Sequence, residues 1–161
     1  MAYLTLFYNT KSDAITQYKN FMFDSYANFR GKMLCGNSDG IFSHEGDNDN
    51  GTSISAYVLT PNTDLYTANQ KRIRKAYIGY QTDGSIRFSI YDDENNIRVY
   101  DLDVIRAREK QGGQVLPVDR NGKGRYWQFK IENINGADFS IDDLRALFVL
   151  LNRKPSGSKL I

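Results

Sequence analysis

Residues 124–142, GRYWQFKIENINGADFSID, constrain the fold more than any other stretch. In an extended chain successive side chains point to opposite faces. Trp127, Phe129 and Ile131 then share one side, and Tyr126, Gln128, Lys130 and Glu132 share the other. A period of two with apolar residues on one face is the pattern of a half-buried strand, not of a helix. Asn135-Gly136 follows, a pair that accepts the positive φ angles of a tight turn. Phe139 and Ile141 then resume an apolar face. The single tryptophan is accordingly expected inside a core and not on a ligand platform.

The same grammar recurs along the chain. Residues 72–105, RIRKAYIGYQTDGSIRFSIYDDENNIRVYDLDVI, read as three strands in a meander, turning at Thr82-Asp83-Gly84 and again over Asp92–Asn96. In the middle strand Ile86, Phe88 and Ile90 face one way, and Arg87, Ser89 and Tyr91 the other. GKMLCGNSDGIF, residues 31–42, reads as a hairpin about Ser38-Asp39-Gly40. TSISAYVLT, residues 52–60, alternates with Ile54, Ala56 and Val58 on one side and stops before Pro61. Eleven tyrosines and nine phenylalanines suit pleated, half-buried surfaces.

Two segments are ambiguous. Ile15, Tyr18, Met22 and Tyr26 fall at near-helical spacing, so residues 13–27 fit either a helix or an extended segment lying across a neighbour. Ser140 with Asp143 resembles a capping box, and Leu144, Leu147, Phe148 and Leu151 follow at helical spacing. The pattern there favours a helix, although LFVLL also suits a strand covered on both faces. Turn signals about every eight to twelve residues predict an all-β fold, a mainly antiparallel β-sandwich or jelly-roll-like domain. The expected organisation is an N-terminal arm over 1–30, partly helical, a β-domain over 31–154, and a flexible tail over 155–161.

Composition narrows the chemistry. Twenty-one basic and 19 acidic residues nearly cancel, and a balance of this kind does not by itself suggest a nucleic-acid protein. The N-terminus lacks the basic start and long apolar run of a signal peptide, and no apolar run is long enough for a membrane span. Cys35 cannot form an internal bridge and sits in an apolar strand, where an inert thiol is the default. His44 is the only histidine, with no G-x-S-x-G elbow or H-E-x-x-H around it. GDNDNG, residues 46–51, has the alternating oxygen side chains of a calcium loop at Asp47 and Asp49. Its fifth position is Gly51 and its twelfth is not acidic, so an ordinary polar turn is expected. No cofactor is called for, and small-molecule turnover is not expected. KRIRK, residues 71–75, is the densest basic run; in a strand Arg72 and Arg74 project to one side, and Lys71, Ile73 and Lys75 to the other. RAREK, residues 106–110, adds charge.

At KRIRKAYIGYQTDG and GRYWQFKIENINGADFSIDDLRALFVLLNRK the chain resembles a family of structural proteins of tailed-bacteriophage virions. The order Gly31-Lys32, Asp39-Gly40-Ile41-Phe42, Gly46-Asp47, Asp49, Gly51, Ile54 and Ala56 extends the likeness over roughly residues 28–154. The resemblance implies a virion component of the tail, neck or baseplate, present in several copies around the tail axis and partnered by other virion proteins. It also implies a β-rich fold in which residues 144–151 close the domain as a strand. The expectation is therefore a non-enzymatic assembly protein, made in the host cytoplasm and located in the virion. Lys71, Arg72, Arg74 and Lys75, with outward-facing Tyr80, Tyr91 and Tyr100, are its expected interface, and the aromatic arm over residues 2–30 reaches a neighbour. Two other readings remain open: a carbohydrate-binding sandwich using loop tyrosines, and a head–tail junction protein contacting DNA.

Overall fold

A computed structural model describes residues 4–19, 21–49, 51–93, 97–105, 112–119 and 122–151. The expected tail over 155–161 and the basic run 106–110 lie outside these residues. All regular structure in the described residues is β, with antiparallel pairing throughout. The chain forms two compact units, Met1–Asp47 and Asn48–Ile161.

The first unit opens with a hairpin of β1 (Thr5–Asn9) and β2 (Ala14–Tyr18). A meander of β3 (Ser25–Phe29), β4 (Lys32–Asn37) and β5 (Gly40–Ser43) follows. The helix read over 13–27 is replaced by β2, a connection and β3. A period near 3.6 in four side chains does not outweigh a cluster that extended chain assembles better. Phe7 and Tyr18, on paired strands, meet edge-on at 5.0 Å. Phe21 meets Phe7 at 5.2 Å and Phe23 at 4.7 Å. His44 stacks on Phe7 at 5.4 Å. The β4–β5 hairpin stands at its expected place: Asn37 pairs with Gly40, and Asn37 Oδ1 accepts the Asp39 N–H at 2.9 Å. Cys35 is buried, and that burial pushes its thiol pKa up.

The second unit contains a small hairpin of β6 (Asn48–Asp49) and β7 (Thr52–Ser53), then β8 (Tyr57–Leu59), β9 (Lys71–Thr82), β10 (Ile86–Asp92), β11 (Ile97–Leu102), β12 (Gly112–Pro117), β13 (Trp127–Asn133) and β14 (Phe139–Leu150). The turn read over 46–51 is the β6–β7 hairpin, with Asn48 Oδ1 accepting the Gly51 N–H at 2.9 Å. One sheet has the order β11-β10-β13-β8 and another β12-β9-β14. Ile73, Ala76, Ile78 and Tyr80 of the latter share one core with Ile86, Phe88, Ile90, Trp127, Phe129 and Ile131 of the former. The arrangement is β-sandwich-like. Each aliphatic side chain sealed there contributes about 1.5–3 kcal/mol relative to exposure.

Two tight turns carry the chain from sheet to sheet instead of closing hairpins. β9 and β10 do not pair, so the three-strand meander reduces to β10–β11. Their apolar faces oppose each other across the core. β13 and β14 part in the same way at Ile134–Ala137, where Asn135 and Gly136 have φ of 55° and 78°. The two corners are bonded together: Asp83 N–H donates to Asp138 O at 3.3 Å, and Asp138 N–H to Asp83 Oδ1 at 2.8 Å. Gly136→Ala meets both the left-handed φ and a Ser53 Cβ only 2.8 Å from the new methyl. A loss of about 1–3 kcal/mol is expected in denaturant melts of the second unit.

Residues 52–60 form two strands, not one. Asn133 takes up the intervening backbone: its Oδ1 accepts the Ala56 N–H at 2.9 Å and its Nδ2 donates to Ile54 O at 2.9 Å. Residues 140–150, which fitted a helix by spacing, are a strand along β9. Eleven residues of β14 between Phe139 and Leu150 have pairing partners in β9, and the resemblance pointed to this outcome.

Candidate assembly surfaces

The basic run at the start of β9 is not a row of exposed charges. Leu147 pairs with Lys75 and Phe148 with Ile73, so Arg74 is an extra residue in β9. This bulge turns the faces over. Before it Lys71 and Ile73 point inward; after it Ala76, Ile78 and Tyr80 do. Lys71 and Lys75 are thereby separated, the first fully buried and the second exposed. Lys71 Nζ donates to Arg125 O. Burial drives its pKa down, with Asp64 and Asp93 opposing the shift.

Of the seven residues expected at an interface, Arg74 and Lys75 are exposed, while Arg72 and Tyr91 are half-buried on outward faces. Tyr80 and Tyr100 correct the expectation. Tyr100 pairs with Phe88 and therefore faces the core; its hydroxyl donates to Pro117 O at 3.2 Å. Tyr80 is buried, with its hydroxyl donating to Asp103 O at 2.7 Å. Desolvation raises the pKa of both phenols, Asp103 adding to the shift at Tyr80 and Asp119 at Tyr100. The folded unit thus retains protons that the unfolded chain releases above about pH 10, and stability falls as pH rises through that value. Tyr80→Phe should cost about 1 kcal/mol at neutral pH through its lost hydrogen bond. The gap between variant and wild type should narrow in urea melts at about pH 10.5, because the variant loses one source of the alkaline decline.

The outer face of the β12-β9-β14 sheet is apolar and basic. Pro117, Lys75 and Leu147 form one row across it, and Val115, Tyr77 and Arg145 the next. Tyr77 lies over Gly113, where an added Cβ would sit 2.6 Å from the Tyr77 Cζ. The Arg145 guanidinium stands 5.9 Å from the Tyr77 ring centroid and pairs with Asp143 at 2.7 Å. Leu147 is 61% exposed, and Val115 and Val149 are also exposed.

In the first unit the β1–β2 hairpin is apolar on both faces. Phe7 and Tyr18 enter the aromatic cluster. Leu6 (58% exposed), Tyr8 (59%) and Ile15 (66%) point the other way, with Tyr8 directly opposite Ile15. Among the described residues of that unit nothing buries this second face. A two-stranded ribbon is marginal unless something packs on it.

One residue escaped the sequence reading. Leu65 and Tyr66 have φ of 48° and 63°, closing a turn in which Thr67 N–H donates to Asp64 O at 3.1 Å. Leu65 packs on the core while Tyr66 stands fully in solvent. Thr63 and Trp127 exchange two backbone bonds of 2.9 Å, which fixes the base of the turn. Leu and Tyr rarely take left-handed φ, so no residue signal marks it; the Leu65 and Tyr66 N–H groups donate to the side chains of Thr63 and Asp64 at 3.1 and 3.0 Å.

Compared with protein-family models, curated proteins and solved structures, the chain matches none.

Proposed function

We propose that the protein is a non-enzymatic assembly component of a tailed-phage virion, a multi-copy β-sandwich piece of the tail, neck or baseplate. The observation that carries this reading is the bare apolar face of the β1–β2 hairpin, Leu6, Tyr8 and Ile15, set on the segment expected to act as an arm. An arm of this kind gains its stability by packing on a neighbouring virion protein. The resemblance of the motifs at 71–84 and 124–154 supports the same reading, as do the apolar and basic positions on the outer face of the second unit.

Immunogold labelling of purified particles should place the chain at the tail, neck or baseplate. The double variant Leu6→Asp with Ile15→Asp should abolish its incorporation into particles while the second unit melts as in wild type. Particles that lack the chain, or that incorporate the double variant normally, overturn the reading. A glycan-binding role has one observation in its favour, the fully exposed Tyr66 at a left-handed φ. That role requires Tyr66→Ala to abolish binding on a glycan array. The DNA-contacting role loses its main support with Lys71 buried, since only Arg74 and Lys75 of that run are exposed.

A further inference from the structure

Among the described residues β14 is the edge strand of its sheet, and its backbone shows which groups face outward. Lys71 exchanges both backbone bonds with Gly124, at 2.9 and 3.0 Å, so its N–H and C=O point away from β14. Leu150, opposite Lys71, must point its own N–H and C=O away from β9. Leu151 confirms the phase by donating to Gln70 O at 2.8 Å. Alternation then turns the N–H and C=O of Leu144, Ala146, Phe148 and Leu150 to the free edge. The register shift at Leu147/Phe148 leaves β14 regular, because the extra residue is Arg74 of β9; the shift in β14 itself lies before Asp143. The run 144–150, LRALFVL, therefore offers an unbroken row of donors and acceptors. It has none of the usual edge protections: no proline, no lysine, no bulge and no inward-pointing charge.

We infer that this edge pairs with the same edge of a second copy, antiparallel about a two-fold axis at Leu147, joining two three-stranded sheets into one of six. The sequence of the run favours itself as partner. With Leu147 opposite its own counterpart, the outward-facing pairs are Leu144 with Leu150 and Ala146 with Phe148, each occurring twice. All four exchange both backbone bonds, giving eight. Ala146 opposite Phe148 sets small against large. Leu147, the most exposed apolar side chain of β14, meets its twin at a non-hydrogen-bonded position, where side chains approach most closely. Arg145 falls opposite Val149, so the two Arg145 side chains do not face each other, and each keeps its Asp143. The contact is isologous and closes on itself.

This inference deepens the assembly reading and rests on it, but the two are separable, because the hairpin variant above leaves β14 intact. Sedimentation of the purified full chain at about 50 µM should give a dimer, and Leu147→Lys should weaken it by about 100-fold or more. The Leu147→Lys side chain lies in solvent, so the second unit should keep its wild-type circular dichroism. Leu147→Cys should form an interchain disulfide under mild oxidation, whereas Arg145→Cys should not; buried Cys35 contributes little background. A monomeric wild type, an unchanged mass for Leu147→Lys, or equal cross-linking of the two cysteine variants each overturns the edge pairing. If particle incorporation still depends on Leu6 and Ile15 in that event, the assembly reading survives it.

Discussion

Trp127→Ala should remove about 3–5 kcal/mol from the second unit, enough to unfold much of it at ordinary temperature. The indole is fully buried between the two sheets, and truncation leaves a void that the surrounding strands cannot close. The Arg98 guanidinium lies 5.9 Å from the ring and reaches Asp92 at 3.5 Å and Asp119 at 3.2 Å. The ring is thus also the floor of a charged cluster. Trp127→Phe should cost much less. Among the described residues Nε1 has no hydrogen-bond partner, so losing that donor costs little and relieves a buried polar group worth about 1–3 kcal/mol. A benzene ring also keeps a face for Arg98. Urea melts followed by circular dichroism compare the three proteins, and wild-type emission should resist quenching by iodide. An alanine cost below about 1 kcal/mol would falsify the placement of Trp127 in the core.

Lys71→Glu should be at least as damaging, above about 4 kcal/mol. Its carboxylate would occupy a site with no exposed surface, beside the Arg125 carbonyl that now accepts the Lys71 Nζ proton. Asp64 and Asp93, which now favour the ammonium, would repel it. A buried charge of the wrong sign has both desolvation and Coulomb energy against it. Lys71→Met keeps the length and apolar stem, so it should fold. The buried ammonium also leaves a pH signature. With its pKa lowered by desolvation, charging Lys71 costs stability at neutral pH, and that cost is relieved as pH rises toward the ordinary lysine value. Lys71→Met should lack this component in melts at rising pH. By contrast Arg74→Glu and Lys75→Glu, on exposed neighbours, should change stability by no more than about 0.5 kcal/mol. Near-neutral behaviour of Lys71→Glu would restore the exposed basic row.

How much of this was legible beforehand varies by element. The faces of β10 and β13 could be read directly: Phe88 and Ile90, like Phe129 and Ile131, alternate without interruption and all are buried. The Asn135-Gly136 turn was equally plain. Its consequence was not, because the same turn residues serve a hairpin and a corner between sheets, and only the competing pairings of β9 with β14 and β10 with β13 decide which forms. The candidate site was less visible still. The bare face of the β1–β2 hairpin was hidden under an apparent helical spacing, and Tyr66 sits in a backbone conformation that its residue type does not announce.

The chain's own order of residues determined a mainly β protein, the buried side of its most regular strands and the positions of its sharpest turns, because those follow from local alternation and from φ angles that only certain residues take easily. Tertiary structure alone decided the rest. One extra residue at Arg74, accommodated only because β14 runs alongside, reverses the faces of β9, and it separates a buried Lys71 from an exposed Lys75 four residues on. It likewise made 139–150 a strand, since backbone pairing with a neighbour outweighs a helical spacing that has nothing to pack against.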